Sequence, residues 1–162
     1  MSSQGARAED RAAQDAAYVV RVAHESADRE ACFAVRRAVF VVEQRVPAEI
    51  EYDAHDADAV HVLAVGPQGP LGTGRLLIGL LPGEPSAGSL GRLAVTPAAR
   101  GLGVGAALVR AIEDAARERG LASVDLHAQT HALGFYERLG YVAYGPEFAD
   151  AGIPHRAMRR TL

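Results

Sequence analysis

Residues 100–105 place three glycines within five positions, between a strand-like run and an amphipathic helix. The start of a helix leaves N–H groups without intrahelical partners and carries a partial positive charge. Glycine lets the backbone approach a ligand closely and adopt positive φ angles, which a Cβ atom would resist. The segment therefore predicts a binding site for a phosphate or pyrophosphate group.

Other interpretations of this glycine segment are a plain tight turn and two nucleotide-binding motifs. The P-loop pattern fails because no Lys-Ser or Lys-Thr pair follows the glycines. The dinucleotide-binding pattern is nearly met by Gly101, Gly103 and Ala106, with Asp125 near the place of a ribose-binding acid. That pattern follows its strand directly, whereas residues 96–100 intervene here and too little chain remains for further strand–helix units. A dinucleotide binder is kept as an alternative.

Hydrophobic patterning predicts the elements that must position this segment. Strands are expected at residues 18–23, 60–65, 71–80, 89–95, 122–128, 141–144 and 153–161, and helices from Ser26 and at 104–119 and 132–139. The helix at 104–119 presents an apolar face, with Glu113 expected on the outside. Strands and helices mix without strict alternation, which favours a mixed sheet over a doubly wound one.

With Arg100 included, the glycine segment reads Arg-x-x-Gly-x-Gly and resembles the pyrophosphate loop of the GNAT superfamily of N-acetyltransferases. Residues 132–141 are similar to the superfamily's late helix and following strand, in which a Phe-Tyr pair precedes a Leu-Gly-aromatic step. A narrower resemblance, to a small bacterial subgroup, rests on the VFVVEQ segment at 39–44 and the GIPH segment at 152–155. The general similarity covers residues 18–162.

The resemblance implies a mixed α/β fold with a central, mostly antiparallel sheet flanked by helices. It implies acetyl-CoA as the cofactor, bound by the glycine loop and by backbone groups that a bulge in the fourth strand frees. One N–H group there would face the thioester oxygen and lower the barrier by about 3 kcal/mol. The implied cofactor-binding residues are Leu93, Ala94, Val95, Arg100, Gly101, Leu102, Gly103, Val104, Gly105, Ala106, Gln129 and Tyr136.

Tyr136 is the general acid that the resemblance implies, since its hydroxyl would lie near the sulfur of the departing CoA. A core aromatic on a helix is the other interpretation. The general base is where the sequence departs from the superfamily, because Gly91 stands where many relatives have a glutamate. The candidate bases are Glu43, His127 and His155, with a water relay or purely structural histidines as alternatives.

The candidate acceptor-binding residues are Glu43, Gln44, Arg75 and Arg92. Glu43 and Gln44 follow the first predicted helix and would lie beside the acceptor cleft. Arg75 and Arg92 lie on neighbouring predicted strands and would bind a carboxylate or phosphate of the acceptor if both point into the cleft. Strand arginines that face solvent are the alternative.

Residues 49–58 are rich in acidic side chains and predict a solvated loop. Their spacing matches no metal site, and the glycine and glutamate positions of an EF-hand are missing, so no metal is expected. An intermediate hypothesis is that Asp53 or Asp56 attracts a cationic amine toward the cleft.

Length and composition suit one domain: the chain has 162 residues, of which 49% are hydrophobic. Residues 1–16 are expected to form a flexible tail before a single domain at 17–162. The net charge of −3 and the lack of a dense basic stripe argue against nucleic acid as a partner. The single cysteine, Cys32, and the lack of a signal-like or membrane-spanning run predict a cytoplasmic protein without a membrane partner.

These observations predict an acetyl-CoA-dependent N-acetyltransferase. It would move an acetyl group to a primary amine of a small molecule by direct attack in a ternary complex, and a homodimer is compatible with such folds. The alternative is a CoA-binding module with little or no catalysis, in a sensor or assembly role, which the glycine at position 91 keeps open.

Overall fold

The computed structural model describes residues 18–162, so the predicted tail lies outside the described residues. The strands are β1 (Val19–Val22), β2 (Val60–Gly66), β3 (Gly69–Ile78), β4 (Ala87–Val95), β5 (Ser123–Gln129), β6 (Val142–Asp150) and β7 (Ile153–Thr161). The helices are α1 (Ser26–Arg36), continued by a π-helical segment (Arg37–Glu43), then α2 (Ala48–Glu51), α3 (Val104–Glu118) and α4 (Leu133–Arg138). Short 3₁₀ turns lie at Ala54–Ala57, Pro97–Ala99 and Thr130–Ala132.

All seven strands form one sheet in the order β1-β2-β3-β4-β5-β7-β6. The pair β4–β5 is parallel, and every other neighbouring pair is antiparallel. The mixed, mostly antiparallel sheet expected from the sequence is therefore confirmed. The parallel pairing runs only from Ala87 opposite Ser123 to Leu90 opposite Leu126. Beyond it β4 pairs with β3 and β5 pairs with β7, so the two strands separate and leave a gap at their carboxyl ends.

Helices cover both faces of the sheet. Alternate residues of each strand point to opposite faces, so apolar strand residues on either face can pack against a helix. On one face, Leu108 and Ile112 of α3 pack with buried strand residues that include Val62 and Val124. On the other face, Cys32 of α1 packs against Leu63, and Val39 of the π-helical segment packs against Ala94. The long helix α3 matches its predicted span and apolar face.

Glu113 of α3 was expected on the outside of the helix, and this expectation was wrong. The side chain is fully buried and accepts hydrogen bonds from Tyr141 Oη at 2.9 Å, Arg110 at 2.8 Å and Arg160 at 2.6 Å. A buried carboxylate needs such partners, and two of them, Tyr141 and Arg160, come from outside α3, which helix periodicity does not reveal.

The sequence predicted a solvated loop at residues 49–58. In the structure this acidic segment instead folds onto buried arginines. Arg36 forms a fork with Glu51, with bonds of 2.7 and 3.1 Å, and a second fork with Asp56, with bonds of 2.6 and 3.1 Å. The side chains of Arg36 and Glu51 are 1% and 2% exposed. These charges are therefore neutralised inside the protein.

A second arginine belongs to this ion-pair cluster. Arg75 donates to Asp53 at 2.7 and 2.8 Å and to Asp56 at 2.8 Å. Since Asp53 and Asp56 are both paired with arginines, the hypothesis that they attract a cationic amine loses its basis. Removing one partner from a buried pair typically costs about 3–5 kcal/mol, because the other charge is left uncompensated.

No helix in residues 18–162 combines the length and the apolar character that crossing a membrane requires.

Acid should weaken the fold through Asp56. Burial acts to raise the pKa of Asp56, but hydrogen bonds from Arg36 and Arg75 outweigh it and lower the pKa from 3.8 to about 2. A carboxylate whose pKa is lower in the folded protein than in the unfolded chain stabilises the folded state at pH values above its unfolded pKa. It loses that contribution as the pH falls through its pKa in the folded protein. Between pH 4 and pH 2, the free energy of unfolding should fall by about 2 kcal/mol more in the wild type than in Asp56→Asn.

Urea denaturation at several pH values measures this difference. Asp114→Asn is the matched control, because the Asp114–Arg117 pair on α3 is exposed and should contribute little at any pH. Parallel pH dependence in the wild type and Asp56→Asn would contradict the assignment.

Candidate active site

A bulge in β4 lies where the gap between β4 and β5 opens. Thr73 of β3 pairs with Ala94 and Arg75 pairs with Gly91, so β4 takes three residue steps where β3 takes two. Arg92 lies between these pairs with φ of 52°, in the left-handed region that non-glycine residues rarely adopt. Bulges of this kind re-aim side chains and interrupt pairing beside functional sites.

A cleft of about 1020 Å³ occupies the gap between the separated strands. It extends from the glycine loop at the start of α3 to the loops after α1 and β3. Most of the residues expected at the site line it: Gln44, Arg92, Leu93, Val95, Arg100, Gly101, Gly103, Val104, Gly105, Ala106, His127, Gln129, Tyr136 and His155. The fold thus brings together two sets of residues that are far apart in sequence.

Four expected site residues do not line the cleft: Ala94, Leu102, Glu43 and Arg75. Ala94 is buried against Val35 and Val39, because strand alternation turns its side chain toward the face that α1 covers. Leu102 packs at the edge of the core below α3. The predicted contact at Ala94 concerns only its backbone.

The glycine loop presents a row of unpaired N–H groups. Within the described residues, none of the N–H groups of residues 101–106 donates to a backbone carbonyl, whereas Ala107 N–H donates to the carbonyl of Gly103. Gly103 precedes α3 with φ of 81°, and a Cβ atom there would meet no atom within 4 Å. No side chain therefore fills this corner, and the amides and the helix dipole favour an anion.

Close packing explains the third glycine of the loop. A Cβ atom on Gly105 would lie 3.3 Å from Phe135 Cζ of α4. Glycine here lets the first turn of α3 approach α4, which carries Tyr136 beside Phe135.

Tyr136 is nearly buried, with 9% of its surface exposed, yet it lines the cleft. Its ring contacts Phe135 and Tyr141 edge to face, at centroid distances of 4.9 and 5.9 Å. Burial raises the pKa of Tyr136 to about 12, so the hydroxyl keeps its proton at neutral pH. Within the described residues the hydroxyl has no protein hydrogen-bond partner and is not sealed from the cleft.

Glu43 and Arg100, predicted for different roles, form an ion pair with each other. Two parallel bonds of 2.8 Å join the guanidinium to the carboxylate, and Arg100 Nε also donates to the carbonyl of Val95 at 3.1 Å. The hydrogen bonds from Arg100 lower the pKa of Glu43. A carboxylate that is paired, lower in pKa and outside the cleft is a poor general base, which argues against that role for Glu43.

His127 and His155 share one face of the sheet, because Gln129 of β5 pairs with His155 of β7 and His127 lies two residues before Gln129. Both rings contact Phe148, at centroid distances of 4.9 Å for His127 and 6.0 Å for His155. His127 is exposed, whereas His155 is 9% exposed.

A backbone contact orients the ring of His155. Its Nδ1 lies 2.7 Å from the carbonyl oxygen of Ile153, which can only accept a hydrogen bond, so Nδ1 carries the proton in the neutral ring. Nε2 then holds the lone pair. No protein group in the described residues bonds to Nε2, and this atom is not sealed from the cleft.

Arg75 does not line the cleft, so the condition under which both strand arginines would bind the acceptor is not met. It is 4% exposed and committed to Asp53 and Asp56. Arg92 does line the cleft, and its guanidinium also reaches the edge of the ion-pair cluster, with Nη2 3.3 Å from Asp53 Oδ2.

Sequence reasoning missed the apolar wall at the far end of the cleft, which includes Phe40, Val46, Ile50, Leu80 and Leu81. Ile50 is 59% exposed and Leu80 is 43% exposed. Large apolar side chains next to prolines in predicted loops were the available signal, because such residues seldom lie exposed in groups without a binding role.

Within residues 18–162, no group of three or more His, Cys, Asp or Glu residues is arranged to hold a metal ion.

The sequence profile of the acetyltransferase (GNAT) domain matches residues 24–162. The chain belongs to the GNAT acetyltransferase family. The uncharacterized N-acetyltransferase YjcF of Bacillus subtilis (strain 168) is 40% identical to this GNAT protein over 129 residues, 79% of this chain and 89% of YjcF.

Solved structures agree with this assignment. An acyl-CoA N-acyltransferase from Pseudomonas aeruginosa has 32% sequence identity and a TM-score of 0.75, with 88% of this chain and 97% of that chain covered. Escherichia coli ElaA has 27% identity and a TM-score of 0.77, with 88% and 99% covered. The predicted superfamily, fold and N-acetyltransferase class are therefore confirmed.

Replacing Glu43 by glutamine should leave most of the acetyltransferase turnover intact. The carboxylate is already paired with Arg100 and lies outside the cleft, so no proton transfer depends on it. The melting temperature should change little, because exposed ion pairs contribute little to stability. Steady-state rates and thermal melts of Glu43→Gln measure both effects, and a loss of about 100-fold or more in kcat with an intact fold would restore Glu43 as a base.

Proposed function

We propose that the protein transfers an acetyl group from acetyl-CoA to the primary amine of a small molecule, by direct attack in a ternary complex. The observation that carries the proposal is that the unpaired N–H groups at the start of α3 and the protonated hydroxyl of Tyr136 line one cleft. An anion site and a proton donor in one cleft suit transfer from a carrier that has a diphosphate at one end and a thioester at the other.

Three groups of residues fit the cofactor. The N–H groups of residues 101–106 would bind the diphosphate, and Arg100, whose guanidinium is paired with Glu43, would add positive charge beside them. Leu93 and Val95 lie where β4 has separated from β5, so their segment can offer backbone groups to the extended arm. Gln129 reaches the cleft from β5. Acetyl-CoA supplies the activated acyl group.

Tyr136 would hold a proton at Oη for the departing thiolate. Its pKa of about 12 keeps the proton on the oxygen at neutral pH, and burial limits the water that could compete for it. The ring contacts with Phe135 and Tyr141 hold the hydroxyl in place.

His155 is the base that the geometry favours. The contact of Nδ1 with Ile153 orients the ring and leaves Nε2 to accept a proton from the attacking amine. His127 lacks such an orienting contact among the described residues and is exposed. Glu43 is paired with Arg100.

A CoA-binding module without efficient catalysis is the second candidate function. The observation that favours it is Gly91, which lines the cleft and where a Cβ atom would meet nothing within 4 Å. The position that many relatives fill with glutamate therefore carries no acid–base group in this protein.

Acetyl-CoA incubated with panels of polyamines, amino acids, amino sugars and aminoglycosides tests the proposal. Released CoA is detected as free thiol, and the acetylated amine is identified by mass spectrometry. Acetylation of at least one amine class supports the enzyme. CoA binding in thermal melts without turnover on any panel favours the binding module, and protection by NAD but not by CoA indicates a dinucleotide binder.

Tyr136→Phe removes only the hydroxyl and should lower kcat by about 100-fold, within the range that general acids contribute. Affinity for CoA should change little, because the ring and its packing remain. Stopped-time assays and calorimetric CoA binding separate the two effects. Unchanged turnover would make Tyr136 a core aromatic and remove its role as the acid.

His155→Gln should lower kcat by about 100-fold or more, because glutamine keeps a polar side chain but cannot take the proton. His127→Gln is the matched control, since it removes the neighbouring ring from the same face of the sheet and should retain most of the activity. A larger loss in His127→Gln than in His155→Gln would reverse the assignment.

A further inference from the structure

One guanidinium in the cleft is poorly paired within the protein. Arg36 and Arg75 bond to the carboxylates of the ion-pair cluster at 2.6 to 3.1 Å. Arg92 reaches the same carboxylates only at 3.3 Å for Asp53 and 3.6 Å for Glu51. Its other contacts are backbone carbonyls of the α2 segment, at 3.2 and 3.5 Å.

The exposure of the three arginines follows the same order. The side chains of Arg36 and Arg75 are 1% and 5% exposed, whereas that of Arg92 is 30% exposed and lines the cleft. Burial and the neighbouring charge of Arg75 lower the pKa of Arg92. The cation therefore lies in a site where its charge is incompletely compensated.

The backbone at Arg92 is also unusual. Its φ of 52° is a conformation that costs free energy for a side chain other than glycine, and such strain concentrates at sites that hold ligands. Arg92 lies in the bulge and lines the cleft, next in sequence to Leu93 of the segment proposed to contact the cofactor arm.

The other charged groups of the cleft are paired or lie elsewhere, so Arg92 is the cation that could bind an anion at this end. Glu51 is held by Arg36, and Asp125 is held by Arg159 and by the hydroxyl of Tyr144. Asp150 lies exposed on β6 near the turn to β7. Among the described residues the cleft is lined by one other arginine, Arg100, which lies at the glycine loop.

Besides the carboxylates of Asp53 and Glu51, apolar side chains line the cleft that Arg92 shares: Val46, Ile50, Leu80 and Leu81. A guanidinium that apolar neighbours partly shield from water binds an anion more strongly than one at a fully wet surface. Its planar donors match the two oxygens of a carboxylate. A single guanidinium fits a monoanion better than a phosphate dianion.

We propose that the acceptor amine carries a carboxylate, which Arg92 binds, so that the acceptor belongs to the amino-acid class with an apolar body. This rests on the proposed function, since the amine must reach the thioester. The apolar wall would contact the body of the acceptor, and Nε2 of His155 would face its amine.

Matched acceptors test the proposal on the unmodified protein. An α-amino acid such as leucine or phenylalanine, and an ω-amino acid, are each compared with their carboxamide, their decarboxylated amine and their phosphonate analogue. The kcat/KM of the carboxylate should exceed that of the carboxamide and the amine by about 10- to 100-fold, the range for a lost bond to a charged group. Equal or better use of the carboxamide, the amine or the phosphonate overturns the proposal.

Variants then locate the effect. Arg92→Gln should lower the kcat/KM for the carboxylate acceptor by about 10-fold or more beyond its effect on the carboxamide, mainly through KM. Arg92→Lys should keep part of the preference, because it keeps the charge. Arg117→Gln, on the exposed face of α3, is the control. Thermal melts establish that each variant is folded, and an equal loss for both acceptors contradicts the role of Arg92.

The failure of this proposal differs from a failure of the proposed function. Acetylation of amines without any preference for the carboxylate leaves the enzyme and removes the role of Arg92. If no amine is acetylated, calorimetric binding to the CoA-loaded protein decides: binding of the amino acid but not of its amide supports Arg92, and no such difference overturns it.

Discussion

The separation of β4 from β5 is the constraint on which the site depends. The two strands are paired at four positions and then diverge, so backbone groups that a continuous sheet would pair internally face a gap instead. Buried backbone groups need partners, and here only a ligand or water can supply them. The bulge at Arg92 and the start of α3 lie at the edges of the same gap. One interruption of the sheet therefore accompanies the cleft, the amides of the glycine loop and the guanidinium of Arg92.

The buried ion pairs hold one wall of that cleft. Segment 49–58 is attached to α1 and β3 through the forks of Arg36 and Arg75, beside one ring contact of Tyr52 with Phe33. These contacts accompany the position of Ile50 and Glu51 at the cleft. Burying charges has a desolvation cost that ion pairing only offsets, so the cluster is better understood as fixing a geometry than as a source of stability.

The two ends of the cleft use different electrostatics. At the glycine loop, unpaired amides and a helix dipole present partial positive charge over several atoms, which suits the spread charge of a diphosphate. At the far end, the positive charge is concentrated on one guanidinium among apolar side chains, which suits a small anion. The same cleft is lined by a phenol that burial keeps protonated and an imidazole that a carbonyl orients.

The sequence by itself determined the glycine loop, the helix that follows it, the strand pattern and the position of Tyr136. These features follow from glycine's backbone freedom and from periods of two and 3.6 residues, which neighbouring residues specify. Which charged side chains form ion pairs with each other was decided only by the tertiary structure. Glu43 meets Arg100 across 57 positions, Arg36 meets Asp56 across 20, and Arg75 meets Asp53 across 22. A charge is stabilised by whichever opposite charge the fold brings near it, and local sequence does not encode that distance.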